Sequence, residues 1–339
     1  VARANGSLMP PAVGPERVYG LELAGEDDAF AAREAACAAT AVEPVAPGLA
    51  TARGVDADRL RTLAYTHRAS RLLGRCEAAV EAARALVAAA TMDRSGTVAV
   101  RARDVRGTAG VDTRRTEREL GAALVDRGFA VDLDDPDHEL RACFAGDTCL
   151  VGWLVAESVR DYGDRKPTDR PFFQPGSMAP LDARAFVNLA GAEPGATILD
   201  PMCGTGGTLI EAGLVGARPV GIDAQWKMVR GARENCRAYL DGAFHALRGD
   251  ATALPLVDDA VDGVVFDAPY GRQSKIARHT LADLVSGALA EAGRVAPRAV
   301  VVADRSWTEA AEAAGWTVVD TFERRVHRSL TRHVHLLER

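Results

Sequence analysis

From residue 179 onward, short apolar strands alternate with amphipathic helices, and an acid closes each of the first two strands. Residues 196–200 (Ala-Thr-Ile-Leu-Asp) read as a strand leading into a helix at 206–214. Residues 218–223 (Arg-Pro-Val-Gly-Ile-Asp) lead in the same way into a helix at 225–240. Further strands are expected at 244–248, 261–267 and 297–303, with helices at 277–293 and 307–314. Parallel neighbours need a crossover, and an intervening helix supplies it, so this alternation predicts a doubly wound, mostly parallel α/β sheet. Two last strands, near 316–323 and 331–337, follow each other without a helix and read as a terminal antiparallel hairpin.

The first half has a different rhythm. A strand at 97–103, a helix at 113–127 and paired strands at 138–144 and 148–157 around the turn Ala145-Gly-Asp147 make a small α+β module. The segment Asp161-Tyr-Gly-Asp-Arg-Lys-Pro-Thr-Asp-Arg-Pro171 is polar, charged and carries two prolines, and reads as a linker.

The loop Asp200-Pro-Met-Cys-Gly-Thr-Gly-Gly-Thr208 joins the first strand to its helix. Its glycines let the backbone turn sharply and approach a ligand. A phosphate-binding P-loop would need a lysine, which is absent, and a dinucleotide fingerprint would need a third glycine where Thr208, Leu209 and Ile210 stand. An acid directly before the loop suits a cationic ligand better than a pyrophosphate. S-adenosylmethionine carries a sulfonium and an amino group, and Asp200 is the residue to face them. Asp223, 23 residues on, can accept hydrogen bonds from ribose hydroxyls. Asp250, in Gly249-Asp-Ala-Thr-Ala-Leu-Pro255, can take an adenine amino proton. Asp223 alone is a weak signal, since strand-end Asp residues often cap the next helix, and Asp250 alone is accounted for equally well as a turn or cap residue. Together, beyond the ends of three successive strands, they specify a ligand site.

The fourth strand ends in Asp267-Ala-Pro-Tyr270, close to the [D/N]-P-P-[Y/F/W] motif of enzymes that methylate planar amines. Such an amine shares its lone pair with the ring and must pyramidalise to attack a methyl group. A carboxylate on one N–H and a carbonyl on the other favour that geometry, and Asp267 and Ala268 supply them. Tyr270 would stack on the base, worth ~1–3 kcal/mol. Ala268 departs from the pattern, which usually has proline.

Net charge is -6, against a nucleic-acid partner on average, yet residues 51–118 carry fourteen Arg and eight Asp plus Glu, a local excess of +6. A basic patch on an acidic protein can still hold a phosphate backbone. The six cysteines form no C-x-x-C pair, so a metal site is not expected and free thiols are. No run approaches the ~20 apolar residues of a membrane span, and residues 1–10 lack a signal-peptide layout. A cytoplasmic monomer with no membrane attachment is the expectation.

Four segments together resemble a known family: Arg170-Pro-Phe-Phe-Gln-Pro-Gly-Ser-Met178, the loop extended to Glu211, Met228-Val-Arg-Gly-Ala232 with Asn235, and Asp267-Ala-Pro-Tyr-Gly-Arg272. They look like the archaeal tRNA guanosine-10 N2-methyltransferases. The resemblance implies a ferredoxin-like part at 1–59, a THUMP RNA-binding domain at 60–158, a linker at 159–176 and a Rossmann-like class I methyltransferase domain at 177–339. It implies S-adenosylmethionine held by Asp200, Cys203, Gly204, Thr205, Gly206, Asp223, Asp250 and Ala251. The target base would be met by Asp267, Pro269 and Tyr270, with the Ala268 carbonyl beside them. The candidate tRNA contacts are Arg101, Arg103, Arg165, Lys166, Arg272 and Lys275, the last two on a basic loop beside the reaction centre that could hold the substrate backbone. The product implied is N2-methyl- or N2,N2-dimethylguanosine. Other readings stay open on the motifs alone: another RNA guanine-N2 enzyme, a DNA amino-methyltransferase, a glutamine methyltransferase, or a silent RNA-binding protein.

Overall fold

The computed structural model describes residues 17–269, 280–328 and 330–339. They form two compact units that are interleaved along the chain.

One unit comprises residues 17–22, 39–55 and 69–155. Its centre is an eight-stranded sheet in the order Glu43–Ala46, Leu49–Ala52, Tyr19–Leu23, Thr66–Glu77, Thr148–Glu157, His138–Ala145, Thr97–Asp104, Ala130–Val131. The expected hairpin is present, with Cys149 opposite Phe144 and Trp153 opposite Leu140. Helices Val80–Ala89 and Thr113–Val125 bury Ala83, Val87, Leu120 and Leu124 against Leu140, Phe144 and Trp153. Asp112 starts the second helix by accepting from the Arg115 amide at 2.9 Å.

The other unit comprises 23–38, 56–68 and 156–339. Its sheet has seven strands: β1 (Thr197–Asp200), β2 (Arg218–Asp223), β3 (His245–Arg248), β4 (Gly263–Asp267), β5 (Arg298–Ala303), β6 (Thr317–His327) and β7 (Leu330–Glu338). Their order is β3-β2-β1-β4-β5-β7-β6. The first five are mutually parallel, and β7 runs antiparallel to both β5 and β6. The α-helices within 156–339 are, among the described residues, α1 (Pro180–Leu189), α2 (Gly207–Leu214), α3 (Trp226–Tyr239), α4 (Leu281–Val295) and α5 (Thr308–Ala313). Val264, Phe266 and Leu199 bury one face of the sheet against Val285, Leu289 and Ala292 of α4. On the other side, Leu209 and Ile210 of α2 cluster with Val229 and Cys236 of α3. Burial on both faces makes the inner strands β4 and β5 near-continuous apolar runs, whereas the edge strand β3 is mostly exposed.

The expected division followed sequence order; the compact units do not. Residues 23–38 and 56–68 join the second unit because a buried glutamate binds them there. Glu34, on helix Asp28–Ala35, accepts from the Ala64 and Tyr65 amides (2.7 and 2.6 Å) and from Asn188 Nδ2 of α1 (2.8 Å). Phe30 of the same helix packs edge-on against Tyr65, Phe186 and Phe322.

The stretch expected as a linker is a packed part of the second unit, a correction to the sequence reading. It forms two short turns, Tyr162–Arg165 and Pro167–Asp169, and Arg165 and Arg170 are buried. Arg165 binds both oxygens of Glu211 on α2 at 2.6 and 3.1 Å, and Arg184 of α1 reaches the same carboxylate at 2.8 Å. Its charge is consumed inside the protein. Polar composition signalled exposure, but Arg165 finds its partners, Glu211 and Asp161, inside the unit.

Candidate active site

The site lies at the carboxyl ends of β1, β2 and β4. Asp200 closes β1 and is 3 % exposed. Its Oδ1 accepts from the Met202 amide at 2.9 Å, and its Oδ2 accepts from the Thr208 hydroxyl. Burial pushes its carboxyl up to about 7, against the pull of those two hydrogen bonds, and the negative charges of Asp223 and Asp267 push the same way.

Between β1 and α2 the chain turns through Gly206, at φ +80°, a left-handed conformation that favours glycine. A Cβ there would also lie 3.1 Å from Ala232 of α3. Cys203 anchors the loop through its amide to the Ile222 carbonyl (2.9 Å), and burial raises its thiol well above the usual range, so it stays neutral. Asp223, at the end of β2, accepts from the Gly204 amide (3.1 Å) and the Gln225 amide (2.7 Å), and burial raises its carboxyl. Two acceptances leave lone pairs on the carboxylate for a further donor. Asp250 folds its loop by accepting from the Thr252 amide and hydroxyl at 2.9 and 2.8 Å, and Ala251 is buried beside it.

Two residues without a role in the sequence reading hold this loop. Asn235 of α3, fully buried, donates to the Thr205 carbonyl (2.9 Å) and exchanges both backbone hydrogen bonds with Phe172 (2.8 Å each). One side-chain amide thus ties the segment before α1 to the glycine loop. Gly231 makes the approach feasible, since a Cβ there would sit 2.0 Å from the Phe172 ring. Ser177 adds a hydroxyl contact to Thr205 at 3.1 Å. The signal was in the sequence, an Asn and a Gly on one helix, but their partners were not.

Asp267 closes β4, next to β1 in the sheet, and its side chain is 22 % exposed. Ala268 is buried, and its amide donates to the Val302 carbonyl of β5 at 2.8 Å. Proline has no N–H and would forfeit that bond. Alanine at 268 therefore holds the loop by a hydrogen bond where the usual motif holds it by ring rigidity. Tyr270, Arg272 and Lys275 lie outside the described residues.

Of the expected RNA contacts, Arg165 is corrected: it is 3 % exposed and committed to Glu211. Lys166 is exposed. On strand Thr97–Asp104, Arg101 donates to the Leu133 carbonyl (2.8 Å), and Arg103, 42 % exposed, lies 3.4 Å from Glu22. A cavity of about 730 Å³ lies elsewhere, lined by Ala196, Arg218 and Arg298 at the opposite strand ends, and plays no part in this site. Among the described residues no cluster of His, Cys, Asp and Glu could hold a metal, and no helix is long and apolar enough to cross a membrane.

The donor set fits S-adenosylmethionine. A buried carboxylate that resists ionising without a cation beside it, a second acid with lone pairs to spare and a third beyond β3 match an amine, a ribose and an adenine edge.

Residues 167–334 match the family described as RMKL-like, methyltransferase domain. The chain is 41% identical over 251 residues to the tRNA (guanine(10)-N2)-dimethyltransferase of Methanothermobacter thermautotrophicus, covering 71% of this chain and 73% of the relative. It is 33% identical over 252 residues to the enzyme of that name in Pyrococcus abyssi, covering 72% and 74%. To the tRNA (guanine(6)-N2)-methyltransferase of Thermus thermophilus it is 33% identical over 195 residues, covering 53% and 55%.

Proposed function

Because the chain belongs to the family of archaeal tRNA (guanine(10)-N2)-dimethyltransferases, we propose that it methylates the N2 amine of guanosine 10 in tRNA. One observation carries the reading at the level of the site: Asp267 and the buried Asp200 end adjacent parallel strands, close enough for each charge to oppose the other.

S-adenosylmethionine, when bound, supplies an electrophilic methyl group on a sulfonium. Asp200 faces its cationic end, Asp223 the ribose hydroxyls, and Asp250 with Ala251 the adenine edge. Cys203, Gly204, Thr205 and Gly206 form the backbone floor. The target amine places one N–H on the Asp267 carboxylate and the other on the Ala268 carbonyl. Both acceptors draw hydrogens out of the base plane and free the nitrogen lone pair, a preorganised electrostatic effect. Pro269 limits the loop's freedom, and Tyr270 is assigned the stacking contact. The proton lost after transfer passes to Asp267 or to water. Guanosine 10 lies in a paired region, so the base must leave its stack to reach this site. The unit of the eight-stranded sheet is assigned the role of a THUMP domain, gripping tRNA by shape and phosphates through residues such as Arg101 and Arg103, with Lys166 assisting.

The test is transfer of labelled methyl from S-adenosylmethionine to unmodified tRNA, DNA and protein in parallel, followed by nucleoside mapping. N2-methyl- or N2,N2-dimethylguanosine at position 10 is the expected result. Label at position 6 would move the target within tRNA, and label only in DNA or protein would refute the proposal.

The charge state of Asp200 makes a second prediction. Its folded pKa, about 7, lies above its ordinary 3.8, so the folded chain binds this proton more tightly than the unfolded one. That contribution to stability is full below pH ~4 and is lost as pH rises to about 7. A bound cation favours the ionised form. Affinity for S-adenosylmethionine should therefore rise by up to about tenfold per pH unit below 7 and level off above it. Calorimetry at pH 6 in two buffers of different ionisation enthalpy should show a proton released on binding, and net proton uptake would contradict the assignment.

A further inference from the structure

The terminal hairpin carries two arginines directly opposite each other, Arg324 on β6 and Arg332 on β7. Like charges facing across a strand pair are unfavourable. Here one carboxylate compensates both: Asp182 of α1 lies 3.4 Å from Arg324 and 3.6 Å from Arg332. Asp182 also accepts from the Tyr65 hydroxyl at 2.6 Å, and the Arg324 guanidinium lies over the Phe30 and Tyr65 rings at 4.1 and 4.5 Å. Arg332 is thus buried, 5 % exposed, with one end of its guanidinium held. The other end, Nη2, lies 3.5 Å from Oδ2 of Asp267.

Buried charge networks of this kind are rarely the most stable filling of a hairpin, since apolar residues of similar volume often serve as well or better. What this one provides is a fixed cation at the acid proposed to meet the target amine. Asp267 shares its end of the sheet with Asp200 and Asp223, and carboxylates crowded together tend to keep a proton. A protonated Asp267 would offer an O–H where the amine needs an acceptor.

We infer that Arg332 is a positioning residue for the methyl transfer, holding Asp267 ionised and oriented, and that Asp182 in turn holds Arg332. The inference rests on the reading of Asp267 given above and extends the site to the last strand of the sheet.

The test compares wild-type enzyme with Arg332→Met, Arg332→Lys and Asp182→Asn, using S-adenosylmethionine and unmodified tRNA. Arg332→Met should lower kcat by about tenfold or more, while KM for tRNA and Kd for S-adenosylmethionine stay within about twofold. Arg332→Lys should recover most of the loss, because a point charge remains although the fork is gone. Asp182→Asn keeps the guanidinium but removes the carboxylate charge beside its far end, and should cost about threefold in kcat; it carries the test if the methionine variant does not fold. A folded Arg332→Met enzyme with wild-type kcat, or a loss confined to KM, would overturn the inference. If Asp267→Ala also turns over normally, the acceptor assignment itself has failed; if Asp267→Ala is inactive, only the role of Arg332 has.

Discussion

Asp267→Ala is expected to lower turnover on tRNA by about 10²–10³-fold while leaving the affinity for S-adenosylmethionine within about twofold. The asymmetry follows from position. Asp267 closes β4, whereas the residues assigned to the cofactor belong to the loops after β1, β2 and β3. The carboxylate meets the amine, and its hydrogen bond strengthens as the nitrogen pyramidalises, so its loss falls on kcat. Single-turnover methylation at saturating cofactor measures the rate, and calorimetry measures the affinity. Turnover close to wild type would remove Asp267 from the chemistry. An equal loss of cofactor affinity would instead mark it as a binding residue.

Glu211→Ala is expected to cost about 3–5 kcal/mol of folding stability. Glu211 is fully buried on α2 and binds Arg165 at 2.6 Å and Arg184 at 2.8 Å. Removing it takes the shared carboxylate from two buried guanidiniums, leaving Arg165 its contacts to Asp161 and Arg184 its 3.4 Å contact to the Thr62 carbonyl. A loss of that size lowers the midpoint of thermal unfolding by roughly 6–20 °C in a unit of this size. A denaturation series on the variant, with Glu211→Gln beside it, reads the effect. Glutamine keeps the volume but loses the charge and turns one acceptor oxygen into an N–H donor facing the guanidiniums, so it should also destabilise. A cost below about 1 kcal/mol for Glu211→Ala would mean that both arginines find water or other partners.

Much of the catalytic sheet was legible because parallel strands buried on both faces leave a strong mark, a short apolar run ended by a polar group. Asp200, Asp223 and Asp267 stand where those runs stop. The helix boundaries moved by a residue or several, as for the α4 helix, expected at 277–293 and observed at Leu281–Val295. The supports of the site were not legible. Asn235 is 63 positions from Phe172, and Arg165 is 46 from Glu211. Such pairings have no period and no local pattern, so neither partner's place in the sequence points to the other.

By itself the sequence determined the chemistry offered at the strand ends: three acids, a glycine turn and an amine-directed motif. Those are consequences of local pattern, which backbone sterics and strand burial translate directly into place. Only the tertiary structure decided that the supposed linker is a packed, ion-paired segment, and that residues 23–38 and 56–68 belong with the catalytic sheet. It also gave Ala268 a physical account, an amide bound to Val302 that proline would lack. The reason is common to all three. A buried polar group must find a partner, and which partner it finds is settled by three-dimensional proximity.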